Sequence, residues 1–214
     1  MKTLTVEQAV EMIPDESSLM IGGFMGVGTP ECVIDEIVRQ RKRDLTIIAN
    51  DTARPDIGIG KLVAAKAVRM AIVSHIGLNP QTQQQMVAGE MDVELVPQGT
   101  LIERIRAGGC GLGGILTRTG LGTSVEDGKR KLAVDGTEYL LELPLRADFA
   151  LVHAFLADYL GNLSFALTAR NFNPVVAMAA ETVIVNADHV VPIGLIAPDH
   201  VITPAPLVDY LIAH

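Results

Sequence analysis

Hydrophobic positions change period repeatedly along this chain, and the changes divide it into elements. Val6, Ala9, Val10 and Ile13 recur on one face of a 3.6-residue turn. Thr5 and Gln8 stand at the spacing of a capping box, so a helix starts after Thr5 and stops at Pro14-Asp15. Ser18 to Ile21 is a short, nearly unbroken apolar run and reads as a buried strand. It feeds Gly22-Gly23-Phe24-Met25-Gly26-Val27-Gly28. Thr29 fits an N-cap and Pro30 the first position of a second helix, with Val33, Ile34, Ile37 and Val38 as its apolar stripe. The rhythm continues with a strand at Leu45 to Ala49, a polar loop Asn50-Asp51-Thr52 and a short helix within Gly58 to Lys66. A strand at Val68 to Ser74 follows, then a helix opened by Asn79-Pro80 and a strand at Val93 to Val96. Strands and helices in alternation predict a parallel α/β sheet.

The pattern breaks at Pro97 to Thr123, which holds 8 of the chain's 20 glycines. A short amphipathic segment, Leu101 to Arg106, runs into them. Linkers are polar, whereas Leu112, Ile115, Leu116 and Leu121 are interleaved with these glycines, so the stretch reads as a packed, ordered loop. The remainder is richer in strands. Lys131 to Val134, Asp135-Gly136 and Glu138 to Leu143 predict a hairpin on an Asp-Gly turn. Phe149 to Val152 is a strand, Gly161-Asn162 a turn before Leu163-Ser164-Phe165, Val175 to Ala180 a short buried helix, Thr182 to Val185 a strand, and Pro206 to Ile212 a closing helix. No linker or fixed-period repeat appears. The expectation is a single domain over residues 1–214, α/β with a mostly parallel sheet and a small β-rich portion.

Composition adds three points. Aromatics are 4% and Trp is absent, so the core is aliphatic; the apolar balance (49% hydrophobic, 20% charged) suggests surface buried against another subunit. The net charge of −8 argues against nucleic acid, and the one basic run, Arg39 to Arg43, reads as a solvated helix end. Cys32 and Cys110 stand far apart, without zinc-type spacing, which points to a reducing compartment; with no leader and no spanning run, a cytoplasmic protein without membrane association is expected.

The chemistry is sparse. Gly109-x-Gly111-x-x-Gly114 matches a dinucleotide fingerprint literally, but it follows a helix where the fingerprint must follow a strand. Gly23-x-x-Gly26-x-Gly28 has the right context and the wrong order, so nicotinamide and flavin chemistry are not expected. There is no phosphate loop and no Gly-x-Ser-x-Gly elbow. His75, His153, His189, His200 and His214 lie at no metal spacing, and no metal is expected; His75, after a strand, can reach a site, but a satisfied core or rim histidine is the favoured reading. Glu103 beside Arg104 and Arg106 reads as an ion pair. Gln98 stands at a strand mouth, between Pro97 and Gly99. Its amide either donates to a carbonyl or developing oxyanion or holds its own loop.

Taken together, Asp15 to Pro30 (with Gly22-Gly23-Phe24 and Gly28-Thr29-Pro30), Ile48-Ala49-Asn50-Asp51-Thr52, Ser74-His75-Ile76-Gly77, Pro97-Gln98-Gly99-Thr100-Leu101, Arg104 to Gly109, Thr117 to Thr123 and Ala169-Arg170-Asn171-Phe172-Asn173 resemble the α subunit of family I coenzyme A-transferases of the short-chain acyl type. Glu16 departs from the Gly or Asn usual there. The resemblance covers essentially the whole chain. It implies a three-layer α/β/α sandwich shared with sugar-phosphate isomerases, and transfer of CoA between a short-chain acyl-CoA and acetate, butyrate or acetoacetate. The route is ping-pong, through an acyl-glutamyl anhydride and a glutamyl-CoA thioester, and the glutamate belongs to a β subunit, in an α2β2 assembly. CoA is then a substrate, with no resident cofactor. Gln98 corresponds to the glutamine that hydrogen-bonds the reacting acyl oxygen, and Asn50 to a residue beside it. Gly22, Gly23, Phe24, Gly26 and Gly28 correspond to a loop facing the subunit boundary; Gly99, Gly108 and Gly109 supply backbone that substrate can approach closely. An isomerase-like enzyme or an effector-binding module of the same fold is the competing expectation.

Overall fold

The computed structural model of the chain describes residues 2–212; His214 lies outside them. The strands are β1 (Lys2–Leu4), β2 (Ser18–Ile21), β3 (Leu45–Asp51), β4 (Val68–His75), β5 (Asp92–Leu95), β6 (Ile115–Thr117), β7 (Lys131–Val134), β8 (Thr137–Glu142), β9 (Ala147–Asp158), β10 (Leu163–Ser164), β11 (Ala180–Val191) and β12 (Tyr210–Ile212). The α-helices are α1 (Val6–Glu11), α2 (Glu31–Arg39), α3 (Ile59–Ala64), α4 (Pro80–Val87), α5 (Gln98–Gly109) and α6 (Asn173–Val176). The main sheet runs β1-β12-β11-β9-β2-β3-β4-β5, all pairs parallel, with β10 antiparallel on β9. A second, antiparallel sheet has the order β6-β8-β7.

Alternation along the strands builds two cores. Leu19, Ile21, Ile47, Ala49, Val73 and Leu151 point to one face and pack with α1, α2 and α3 through Ala9, Val10, Val33, Ile34, Ile37, Leu62 and Val63. Met20, Ile48, Ile72, Ala150 and Val152 point to the other and meet α5 and α6 through Leu101, Ile105, Val175 and Val176. Helices therefore cover both faces of a parallel sheet, the layering that such a sheet requires. Every strand of its centre is buried on both sides, and the parallel order gathers their carboxyl ends along one edge.

Local signals in the sequence are met in several places. Thr5 and Gln8 form both bonds of the capping box, and the Asn79 side chain accepts from the backbone N–H groups of Gln81 and Thr82. Asp135 and Gly136 both take positive φ, 48° and 74°, as the tight hairpin turn requires. The Gly109–Gly114 stretch leaves a helix and enters β6, so it has no dinucleotide context.

Other expectations are corrected. Residues 206–212 do not form a helix: a short 3-10 turn at Ala205–Leu207 gives way to β12, which fills the gap between β1 and β11 and buries Leu211 and Ile212. The polar trio at 50–52 is not a loop from its start, because β3 continues through Asn50 and Asp51, both buried. The helix after the glycine loop begins one residue late. Pro30, with ψ at 79°, is itself the cap, and Thr29 is buried beneath the loop without capping. The buried helix near 175 is α6, which ends at Val176 before β11 begins at Ala180. The amphipathic segment at 101–106 is the middle of twelve-residue α5, which takes in Gln98, Gly99, Gly108 and Gly109. β1, unpredicted, is too short to show a period.

Candidate active site

The site forms where β2, β3 and β4 end and α5 begins. Each of these strands delivers something different to the carboxyl edge. β2 ends in the glycine loop. β3 ends in two buried polar side chains, Asn50 and Asp51. β4 ends in Ser74 and His75, with His75 paired in register to Asp51. After β5 the chain turns at Pro97 into α5, so Gln98 is the first residue of a helix and stands at the positive end of its dipole.

These residues meet. Gln98 Nε2 donates to Asn50 Oδ1 at 2.6 Å. Asn50 Nδ2 in turn donates to Asp51 Oδ2 at 2.9 Å. Ser74 Oγ donates to the Asn50 carbonyl oxygen at 2.7 Å and lies 3.2 Å from Asn50 Oδ1. Gln98 is exposed while Asn50 is 1% exposed, so a surface amide is anchored on a buried one. Two open hollows flank Gln98. One, of about 280 Å³, is lined by Phe24, Asn50, Gly99, Asn171 and Phe172 among others. The other, of about 310 Å³, is lined by Phe24, Met25, Ser74, His75 and Leu78 as well as Asn50 and Asp51. Among the described residues, Asp51 is the one acidic side chain lining either hollow, and its oxygens are taken up by Asn50 and by the backbone N–H groups of Met25 (3.0 Å) and Ala53 (2.7 Å).

The glycine loop is a tight hairpin: Phe24 and Val27 exchange backbone hydrogen bonds across Met25 and Gly26, both at positive φ (52° and 89°). The segment carrying Asn171 and Asn173 clamps it. Gly23 N donates to Asn171 Oδ1, and Asn171 Nδ2 donates to the Val27 carbonyl. Asn173 Nδ2 donates to the Gly28 carbonyl, and a Cβ on Gly22 would sit 1.8 Å from Asn173 Oδ1. These two asparagines lie about 150 residues from the loop they hold, beyond the reach of any local strand or turn signal.

The remaining glycines divide. Gly99 is exposed, lines the first hollow and has nothing within 4 Å of where a Cβ would stand, so a ligand can lie against its backbone. Gly108 and Gly109 are at the far end of α5. A Cβ there would meet the Leu145 carbonyl oxygen at 1.9 Å or Met178 Cβ at 2.6 Å, so their closeness is to the chain's own backbone. Cys110 caps that same far end, exposed and unpaired; Cys32 on α2 is unpaired too, and burial pushes its thiol pKa up. Glu103 pairs with Arg106. Arg104 turns inward to Glu94 Oε1 (2.7 Å) and the Leu143 carbonyl, tying α5 to β5 and to the small sheet.

Comparison with known proteins agrees with this architecture. The family model described as coenzyme A transferase matches residues 3–214. The chain is 53% identical over 211 residues to the acetate CoA-transferase subunit alpha of Escherichia coli (strain K12), covering 99% of this chain and 96% of that one. It is 48% identical over 211 residues to the acetoacetyl-CoA:acetate/butyrate CoA transferase alpha subunit of Clostridium acetobutylicum, covering 99% and 97%. Among solved structures, an acyl-CoA transferase of E. coli O157:H7 in a thioester complex with CoA superposes with a TM-score of 0.88 at 24% identity, over 100% of this chain and 47% of that one. This chain thus spans about half of that longer protein and nearly all of the curated α subunits. On the family match and on identity across the whole chain, this protein belongs to the coenzyme A transferase family.

Proposed function

We propose that this chain is the α subunit of a heteromeric CoA-transferase that moves CoA between a short-chain acyl-CoA and acetate, butyrate or acetoacetate. The observation that carries the reading is the Gln98 amide, exposed at the head of α5 and anchored on buried Asn50, beside hollows whose one acidic residue, Asp51, is already engaged. Such a site can orient and polarise an acyl group, and it needs a nucleophile from outside. A β subunit supplies it as a glutamate. The carboxylate attacks the acyl-CoA carbonyl, the C–S bond breaks, and an acyl-glutamyl anhydride and CoA thiolate result. The thiolate then attacks the glutamyl carbonyl, releasing the first acid and leaving a glutamyl-CoA thioester. A second acid runs the steps in reverse. Each addition puts negative charge on a carbonyl oxygen, and the second N–H of Gln98, not used by Asn50, donates to it. Gly99 leaves room for the acyl chain. The relatives' names, acetate for one and acetoacetyl-CoA with acetate or butyrate for the other, support short acids as the substrate class. The assembly we propose is α2β2.

The test is an exchange assay. The purified chain, mixed with acetyl-CoA and labelled acetate, shows no exchange; adding the cognate β subunit restores it, and borohydride then traps the thioester on the β chain. Exchange by the single chain overturns the reading.

A further inference from the structure

We infer that Asp51 is a positioning residue for Gln98 and acts through Asn50. The inference rests on the reading of Gln98 given above. It begins with a rule of hydrogen bonding: an ionised carboxylate only accepts, whereas an amide has one accepting and one donating end and can be turned either way. Gln98 alone, on the surface, has no reason to present one end rather than the other. Asn50 faces it at 2.6 Å, but an amide facing an amide leaves two choices, O to N or N to O. Asp51 removes the ambiguity. Its Oδ2 lies 2.9 Å from Asn50 Nδ2, so the NH2 of Asn50 must face Asp51 and the oxygen must face outward. Ser74 Oγ spends its one proton on the Asn50 carbonyl oxygen at 2.7 Å, which holds the backbone of the relay in place. Gln98 then meets an oxygen and must turn its own NH2 inward, which leaves one N–H free for an acyl oxygen.

Asp51 also fixes the walls. The same Oδ2 accepts from Met25 N at 3.0 Å, and Oδ1 accepts from Ala53 N at 2.7 Å. Met25 and Ala53 both hold left-handed φ, 52° and 50°, a conformation that non-glycine residues keep only when their surroundings impose it. Met25 is the turn of the glycine hairpin, and Ala53 follows the end of β3. One buried side chain, 5% exposed, therefore sets an amide relay and the two strained backbones beside it.

The experiment is a double-mutant cycle on the assembled enzyme with its β subunit. Asp51→Asn keeps the shape but offers Asn50 a neighbour that both donates and accepts, so the relay loses its direction. Turnover should fall roughly 10- to 100-fold, with the KM for acyl-CoA moving by less than about 3-fold, because a transition-state donor is lost and ground-state binding is not. In a Gln98→Ala background the same substitution should cost less than about 2-fold, since the group it orients is gone. Full, additive losses in both backgrounds overturn the relay and leave Asp51 only a structural part. Wild-type turnover in Gln98→Ala itself overturns the reading of Gln98 and the relay with it. Where Asp51→Asn does not assemble, an Asn50→Ala and Gln98→Ala cycle reads the same relay: a double variant no slower than the worse single variant supports it, and additive losses overturn it.

Discussion

On the proposed function the chemistry turns on Gln98, and the place of this residue explains why it can be changed without loss of the fold. The side chain is exposed, its backbone opens α5, and its amide bonds to Asn50. Gln98→Ala should therefore leave the thermal midpoint of the assembled enzyme within about 2 °C, as surface substitutions do. It should lower kcat roughly 10- to 1000-fold, the range for removing one oxyanion donor. A thermal melt checks the first and steady-state exchange of labelled acetate with acetyl-CoA the second; wild-type kcat in the folded variant leaves the amide only its bond to Asn50. This residue could be found in the sequence because Pro97-Gln98-Gly99 punctuates a strand end. Its partners were harder to see. Asn50 and Asp51 end an apolar run, and polar residues there look like the start of a loop; nothing local says that they stay in the strand, buried, with hydrogen bonds waiting across the sheet. Asn171 and Asn173 fall in a quoted motif, but only the folded chain shows that they clamp the glycine hairpin.

At the scale of elements, most strands and helices of the first hundred residues can be read because they carry their own period and, at Thr5 and Asn79, their own caps; the Asp135-Gly136 turn marks the later hairpin in the same way. Two later strands, β9 and β11, are longer than their apolar runs. β9 was expected over four residues and has twelve; it continues past Val152 because β11 pairs with it through Asp158, an arrangement no local pattern encodes. The end of β9 is secured by a single carboxylate. Asp158 Oδ1 accepts from the backbone N–H groups of Leu160, Gly161 and Asn162, and Oδ2 from the Asn162 amide. Burial alone pushes its pKa up, but the four donors together outweigh it and hold the carboxyl below its usual range. A lowered folded-state pKa means stability that is present above the unfolded value of about 3.9 and is lost as pH falls through the folded value. Asp158→Ala leaves those donors facing nothing and should cost about 1–3 kcal/mol at neutral pH. That corresponds to roughly 2–4 °C of Tm per kcal/mol in a chain of this size. The gap between wild type and variant should narrow as pH drops below about 4, measured as urea midpoints along a pH series. A gap that stays constant to pH 2 would show that the charge on Asp158 contributes nothing.

Across the whole molecule, large apolar side chains are exposed in several places, and one group of them lies at the carboxyl edge of the sheet. Phe24, Met25, Val27 and Leu78 are each 40–49% exposed, and Leu167 is 94% exposed with φ at 48°. Phe24, Met25 and Leu78 line the hollows that flank Gln98, Val27 closes the hairpin that carries Phe24, and Leu167 opens the 3-10 turn that leads to Asn171. Large exposed side chains scattered singly need no explanation, but a group of them rimming a polar site does. On the proposed function the site takes its nucleophile from a partner, which accounts for the group: a subunit that brings a carboxylate to Gln98 would cover this edge and bury the apolar rim. The hairpin at Gly22–Gly28 is suited to the contact, since its two backbone hydrogen bonds and its asparagine clamps hold Phe24 and Val27 outward without help from a core. Hydrogen exchange on the chain alone and in complex with its β subunit tests the point. Peptides spanning residues 22–28, 75–78 and 165–172 should gain protection of about tenfold or more in the complex, because exchange there requires the interface to open. The outer face of α2, on the far side of the sheet layer, should be unchanged. Protection that instead appears on α2 or along β1, with the hairpin unaltered, would place the partner elsewhere. The glutamate could then not reach Gln98, and the nucleophile would have to be sought in this chain.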